Sequence, residues 1–238
     1  MLIWRLLLAL FLSDFLLQNY WLIKSKKYFW GLAYHCLIYL FVMLILTANL
    51  LTGKIIVVLL ILAILHGIVD YAKQLLRPVF ANKEWLLFIT DQCIHILTII
   101  LAVGIISDLD YSYLIAIYNK FPIDAWFKYL ALFIVTVFAG IYFTDSILKS
   151  VLKIDLANDE QRYNVSCYIG IAERFLITIA VLIGRYELIG FLLLAKSLKK
   201  LPEIKDATTE KYNNYVVVGT LLSYSWAIAI TLLFKNLF

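Results

Sequence analysis

The chain has 238 residues, of which 64% are hydrophobic and 16% charged, with a mean hydropathy of +0.91. Soluble domains average about 45–50% apolar residues, so this composition excludes an ordinary soluble globular protein and predicts an integral membrane protein. The net charge of +5 does not point to nucleic acid, because Lys and Arg in a membrane protein mark the loops that stay in the cytoplasm.

Apolar runs predict spans at 2–22, 31–51, 55–76, 84–106, 126–148, 164–184, 187–201 and 213–234. A run of about 20 residues crosses ~30 Å of hydrocarbon as a helix, and these runs are continuous rather than alternating, which disfavours strands. The predicted fold is an all-α polytopic membrane bundle of seven to eight transmembrane helices. It forms one transmembrane domain over 1–238, with a first half at 1–107 and a second at 126–238. The first run carries Asp14 and lacks a small-x-small cleavage site, so it reads as a retained span rather than a signal peptide. Asp108, Asp110, Tyr111, Tyr113 and Pro122 mark an interfacial helix or loop between the halves. The seventh run is short, lying between Gly184-Arg185-Tyr186 and Lys199-Lys200-Leu201-Pro202. It is either a tilted span or a re-entrant piece. The mixed-charge stretch from Lys199 to Asn214 reads as solvated cytosolic surface.

With the N-terminus outside, 14 of the 21 Lys and Arg residues fall in the cytosolic connections around 23–30, 73–83, 149–163 and 196–212. That bias supports both termini outside. The three cysteines, Cys36, Cys93 and Cys167, show neither disulfide nor zinc-ribbon spacing and read as apolar groups.

This topology brings Asp14, His35, His66, Asp70, Asp91 and His95 to one cytosolic layer. An ionisable group in lipid costs roughly 2.5–3.5 kcal/mol on the insertion scale, so six at one depth form a functional-site hypothesis. His66/Asp70 and Asp91/His95 are each four residues apart and share a helix face. Carboxylates and imidazoles aimed into a bundle centre are a known way to hold a metal. The types suit zinc or another divalent transition metal. In that reading His35, His66, Asp70 and His95 are ligands, while Asp14 and Asp91 are catalytic candidates that orient a ligand or act as base. Two further readings use the same residues: a proton or ion path, and a polar cluster that only joins helices.

In the second half, Glu173, Arg174 and Lys196 form a predicted buried charge cluster in which Glu173 pairs with Lys196 or Arg174. Arg174 alternatively holds a lipid phosphate. Arg185 and Glu187 read as interfacial, and Ser223 and Ser225 as helix-packing hydroxyls. Neither a Ser/His/Asp order nor a Gly-rich phosphate loop is present.

Several motifs resemble the bacterial membrane family called domain of unknown function 3307. They are Leu10-x-x-x-Asp14-Phe15-Leu16-Leu17-Gln18, Asp91-Gln92-x-x-His95, Gly170-x-x-Glu173-Arg174, Ile189-Gly190-Phe191, Ala195-Lys196-Ser197 and Gly219-Thr220-Leu221-Leu222-Ser223. The resemblance implies a multi-pass protein of the bacterial cytoplasmic (inner) membrane and says little about chemistry. It also marks two departures: Leu10 stands where the family usually has His, and Tyr39 where a second His often follows His35.

The leading expectation is a metal-dependent intramembrane hydrolase acting on lipid or a lipid-like substrate at the cytosolic face. The alternatives are a transporter or proton/ion-conducting component, and a membrane scaffold for a cytosolic partner. Membrane lipids are the expected partners, nucleic acid is not, and a homo-oligomer is compatible with the sequence.

Overall fold

Ten residues, Leu2–Phe11, form helix α1, which is apolar on nearly every face. A helix without a polar face belongs inside a bundle, and Trp4 through Phe11 are all buried. The computed structural model describes residues 2–18, 25, 28–80, 83–106, 122–152, 160–206 and 210–237. Its further helices are α2 (Phe29–Leu46), α3 (Gly53–Leu76), α4 (Glu84–Ile106), α5 (Pro122–Ile134), α6 (Gly140–Leu152), α7 (Glu160–Leu182), α8 (Glu187–Asp206) and α9 (Glu210–Leu237). No strand occurs among the described residues.

The chain divides into two compact units, Met1–Ile134 and Val135–Phe238. In the first, α1 is the central helix and packs on α2, α4 and α5, while α3 bridges α2 and α4. Arg5, only 3% exposed, is held at this core. Its guanidinium donates to the Leu46 carbonyl at the C-terminal end of α2 and to Asn49 Oδ1, and it lies over the Phe127 ring. A cation placed on the last carbonyls of a helix is stabilised by the helix dipole. Below Arg5, α1 runs into a π-helical turn, Leu12–Leu16. Its wider spacing displaces backbone carbonyls, and the Ser13 hydroxyl lies 2.9 Å from the Ala9 carbonyl and 3.0 Å from that of Leu10. Such turns redirect the following side chains, here Asp14.

The outward faces of α2, α3 and α4 are apolar as well. Leu37, Phe41 and Ile45, then Ile61, Ile64 and Ile68, then Leu97, Leu101 and Ile105 are all exposed large hydrophobics. In water such stripes would be a liability, whereas in lipid they are the expected surface.

In the second unit, α9 packs along α6 and α7, and α8 packs on α7. The core is Ile177, Val181, Tyr224 and Ala227, with Ile189, Leu192, Ile228 and Leu232 against it. Helix α7 stops at Gly184, whose φ of +73° suits only a residue without a Cβ. The Arg185 N–H donates to the Ala180 carbonyl and the Gly184 N–H to that of Val181, closing the helix end.

Five described helices are long and apolar enough to cross a membrane: Phe29–Leu46, Gly53–Leu76, Glu84–Ile106, Ala125–Ser150 and Val216–Asn236. That is fewer than the seven to eight expected. The described stretch of α1 is short, and Glu173, Arg174 and Lys196 interrupt α7 and α8. Of the expected interfacial segment at 108–125, residues 108–121 lie outside the described residues and 122–125 open α5, and the side chains of the Lys199–Asn214 stretch also lie outside them.

Candidate metal centre

Asp14, His35, His66, Asp70, Asp91 and His95 meet in the first unit, all between 0% and 7% exposed. Asp14 comes from the π turn, His35 from the second turn of α2, His66 and Asp70 from α3, and Asp91 and His95 from α4. Helices α3 and α4 are joined by a short connection, so their facing ends deliver both i,i+4 pairs to one level.

His35 Nε2 is the hub. It lies 2.9 Å from His66 Nε2, 3.1 Å from Asp14 Oδ1 and 3.5 Å from Asp70 Oδ2. His66 Nε2 lies 3.4 Å from Asp14 Oδ1 and 3.9 Å from Asp70 Oδ2. On the other side of Asp70, its Oδ1 is 3.6 Å from His95 Nε2, which is 3.4 Å from Asp91 Oδ1. Two donors each ~2.1 Å from a tetrahedral ion stand about 3.4 Å apart. The observed spacings therefore match the edges of a coordination polyhedron. Three overlapping triads keep their donor atoms within 4.8 Å of one another: Asp14/His66/His95, His35/His66/Asp70 and Asp70/Asp91/His95.

Charge supports the same conclusion. Lys73 Nζ lies 2.7 Å from Asp91 Oδ2, so among the described residues the group comprises three carboxylates, one ammonium and three imidazoles. With the imidazoles neutral the sum is −2, which one divalent cation cancels. Two buried atoms aimed into the centre, Asp91 Oδ1 and His95 Nε2, 3.4 Å apart, also make no well-formed hydrogen bond. Such atoms are costly unless something else satisfies them.

Four neighbours set the geometry. Gln92 Nε2 donates to Asp91 Oδ2 at 3.2 Å and to Asp14 Oδ2 at 3.4 Å, tying α4 to the π turn. The Tyr39 ring sits 4.5 Å from that of His66, and the His66 and His95 rings are 4.3 Å apart. Tyr39 thus packs on a candidate ligand, and Leu10 is fully buried one turn before Asp14. A Cβ at Gly67 would come within 2.6 Å of Cys36 Sγ, so glycine allows α3 to approach α2 beside His35 and His66.

Lys73, Gln92 and Tyr39 were not among the residues the sequence singled out as site candidates. Each carried a readable signal: Lys73 is three residues after Asp70, Tyr39 is four after His35, and Gln92 adjoins Asp91. Lys73 was hidden by its place among the loop charges.

The second-unit cluster resolves into two separate arrangements. Glu173 pairs with Lys196 at 2.5 Å, and Lys196 Nζ lies over the Tyr224 ring. Arg174 donates from Nε to the Val137 carbonyl and from Nη1 to Ser223 Oγ, both at 2.9 Å. Val137 lies in the π-helical turn Val135–Ala139, and Trp226 Nε1 donates to the Val135 carbonyl of the same turn. Arg174 and Trp226 thus bind carbonyls of a widened turn. Arg185 and Glu187 are exposed and 3.4 Å apart. None of the three cysteines forms a disulfide.

No curated protein and no solved structure matches this chain significantly. A family profile does match, over residues 2–121, which is half the chain and includes all six residues of the centre. The chain belongs to the family described as protein of unknown function (DUF3307).

Proposed function

We propose that this protein is a multi-pass metalloprotein of the bacterial cytoplasmic membrane that hydrolyses a lipid or lipid-like substrate at the cytosolic face. In this reading α1, α7 and α8 also enter or cross the bilayer, giving seven or eight spans. The observation that carries it is that His35 Nε2 and His66 Nε2 lie 2.9 Å from each other and 3.1–3.9 Å from Asp14 Oδ1 and Asp70 Oδ2, four donors brought from three chain segments inside an apolar bundle. Zinc or another divalent transition metal suits these ligands.

Such an ion supplies Lewis acidity toward an ester or phosphoryl oxygen and lowers the pKa of water. The chain's own residues do the rest. Asp14 Oδ1 lies against the Nε2 atoms of both His35 and His66, so it would share an ion with them, and the Tyr39 ring packs on His66 and fixes its plane. Lys73 and Gln92 hold one oxygen of Asp91 and leave the other facing His95.

The test is headgroup or acyl release from a panel of phospholipids and lipid esters by zinc-loaded protein in detergent, with His35→Ala as the inactive control. Turnover lost in the variant supports the hydrolase. A proton or cation path is the second reading, because Lys73, Asp91, His95, Asp70 and His35 follow one another at 2.7–3.6 Å. No turnover, together with pH-gradient dissipation in vesicles, favours that reading.

A further inference from the structure

The two oxygens of Asp70 face different partners. Oδ2 points to His35 and His66, whereas Oδ1 points to His95, which in turn faces Asp91 Oδ1. A single tetrahedral ion on the His35 side uses Asp14, His35, His66 and Asp70 Oδ2. It leaves Asp70 Oδ1, His95 Nε2 and Asp91 Oδ1 as a second converging set. Asp91 and His95 are 4% and 2% exposed, and neither Asp91 Oδ1 nor His95 Nε2 makes a well-formed hydrogen bond. Asp91 Oδ2 is already held by Lys73 and Gln92, which fixes the carboxylate with Oδ1 turned inward. The mixed triad of Asp14, His66 and His95 lies across the two sets. The two sets are therefore adjacent, and ions sharing a centre of this kind stand ~3.5–4 Å apart in two-metal hydrolytic centres.

We propose that the centre holds two divalent ions bridged by the Asp70 carboxylate, one on Asp14, His35 and His66 and the other on Asp91 and His95. This deepens, and rests on, the metal-centre reading above. Charge then narrows the substrate. The described residues sum to −2 with neutral imidazoles, so a second divalent ion leaves an excess of positive charge that the described residues do not cancel. An anion completes the centre, and the class that matches a pair of divalent ions is a phosphate ester. A pair of ions clamping the attacking and leaving oxygens is suited to in-line displacement at phosphorus.

The experiment is a calorimetric titration of chelator-stripped full-length protein in detergent with Mn²⁺. It is followed by electron paramagnetic resonance of the loaded sample and run with and without inorganic phosphate as the anion probe. The expected result is about two ions per chain with an exchange-coupled spectrum, and a second step tightened roughly tenfold by phosphate through linkage. Asp91→Asn and His95→Gln each drop the stoichiometry to about one ion with an uncoupled spectrum while the first step persists. One uncoupled ion in the wild type overturns the second site and leaves the metal-centre reading standing, whereas no ion at all overturns both. Two ions retained in both variants overturn the assignment of Asp91 and His95. A second step that phosphate leaves unmoved overturns the phosphate-ester assignment.

Discussion

Lys73 Nζ and Asp91 Oδ2 lie 2.7 Å apart at the edge of a cluster of three histidines and three aspartates, with Lys73 about one third exposed and Asp91 almost wholly buried. The lysine therefore supplies the one permanent positive charge that the described residues bring into contact with the centre. Replacing it changes stability and metal affinity in opposite directions. In Lys73→Gln the cluster sums to −3, so the metal-free protein is expected to lose about 1–2 kcal/mol. That is less than the ~3–5 kcal/mol of a fully buried pair, because exposure weakens the interaction. Metal affinity rises, since Asp91 is released toward the ion. Thermal unfolding of stripped and metal-loaded protein checks both signs. A variant that loses stability equally in the two states would contradict this role.

Gly67 lies next to His66 on α3 and allows the close approach to Cys36 on α2. Gly67→Ala places a methyl group in that gap and is expected to cost about 1–3 kcal/mol by overpacking. It should also weaken metal binding by separating His35 from His66. Cys36→Ala on the same chain removes the clashing sulfur and should restore both. A double variant no better than Gly67→Ala alone would show that the approach is not limited by this contact.

Ser13 bonds the carbonyls displaced by the π turn of α1. Ser13→Ala leaves those buried carbonyls without the hydroxyl, at about 1–3 kcal/mol. The larger expected consequence is functional, because the turn aims Asp14. Metal affinity should fall in Ser13→Ala while Ser13→Thr, which keeps the hydroxyl, stays near wild type. Equal affinities in all three proteins would separate the turn from the site.

Arg174 and Ser223 form a corresponding arrangement in the second unit. Ser223→Ala removes the hydroxyl that accepts from a buried guanidinium and is expected to destabilise the protein by about 1.5–3 kcal/mol, as for a hydrogen bond to a charged group. Metal content should not change. Thermal unfolding beside elemental analysis tests both statements, and loss of metal in this variant would refute the assignment of Arg174 to a structural role in its own unit.

The His/Asp centre was legible because its parts are local in sequence. His66/Asp70 and Asp91/His95 show their shared faces through four-residue spacing, and alternating topology brings Asp14 and His35 to the same depth. The Glu173–Lys196 pair was legible for a related reason, since charges in apolar helices require partners. What the sequence hid is what non-local packing decides. No pattern in Leu12–Leu16 announces a π turn, so the aim of Asp14 could not be read. No sequence pattern marks the guanidinium of Arg5 as bound to the end of α2. Span counting was harder in α7 and α8, where Glu173, Arg174 and Lys196 dilute the apolar run, than in α3 or α4.

The most direct test of the central claim is the metal content of purified, metal-replete protein by elemental mass spectrometry, wild type beside a His66→Ala/His95→Ala double variant of verified helical content. The account predicts at least about one divalent transition-metal ion per wild-type chain and its loss in the folded double variant. A wild-type protein that binds no metal, or a double variant that keeps its full complement, would contradict it.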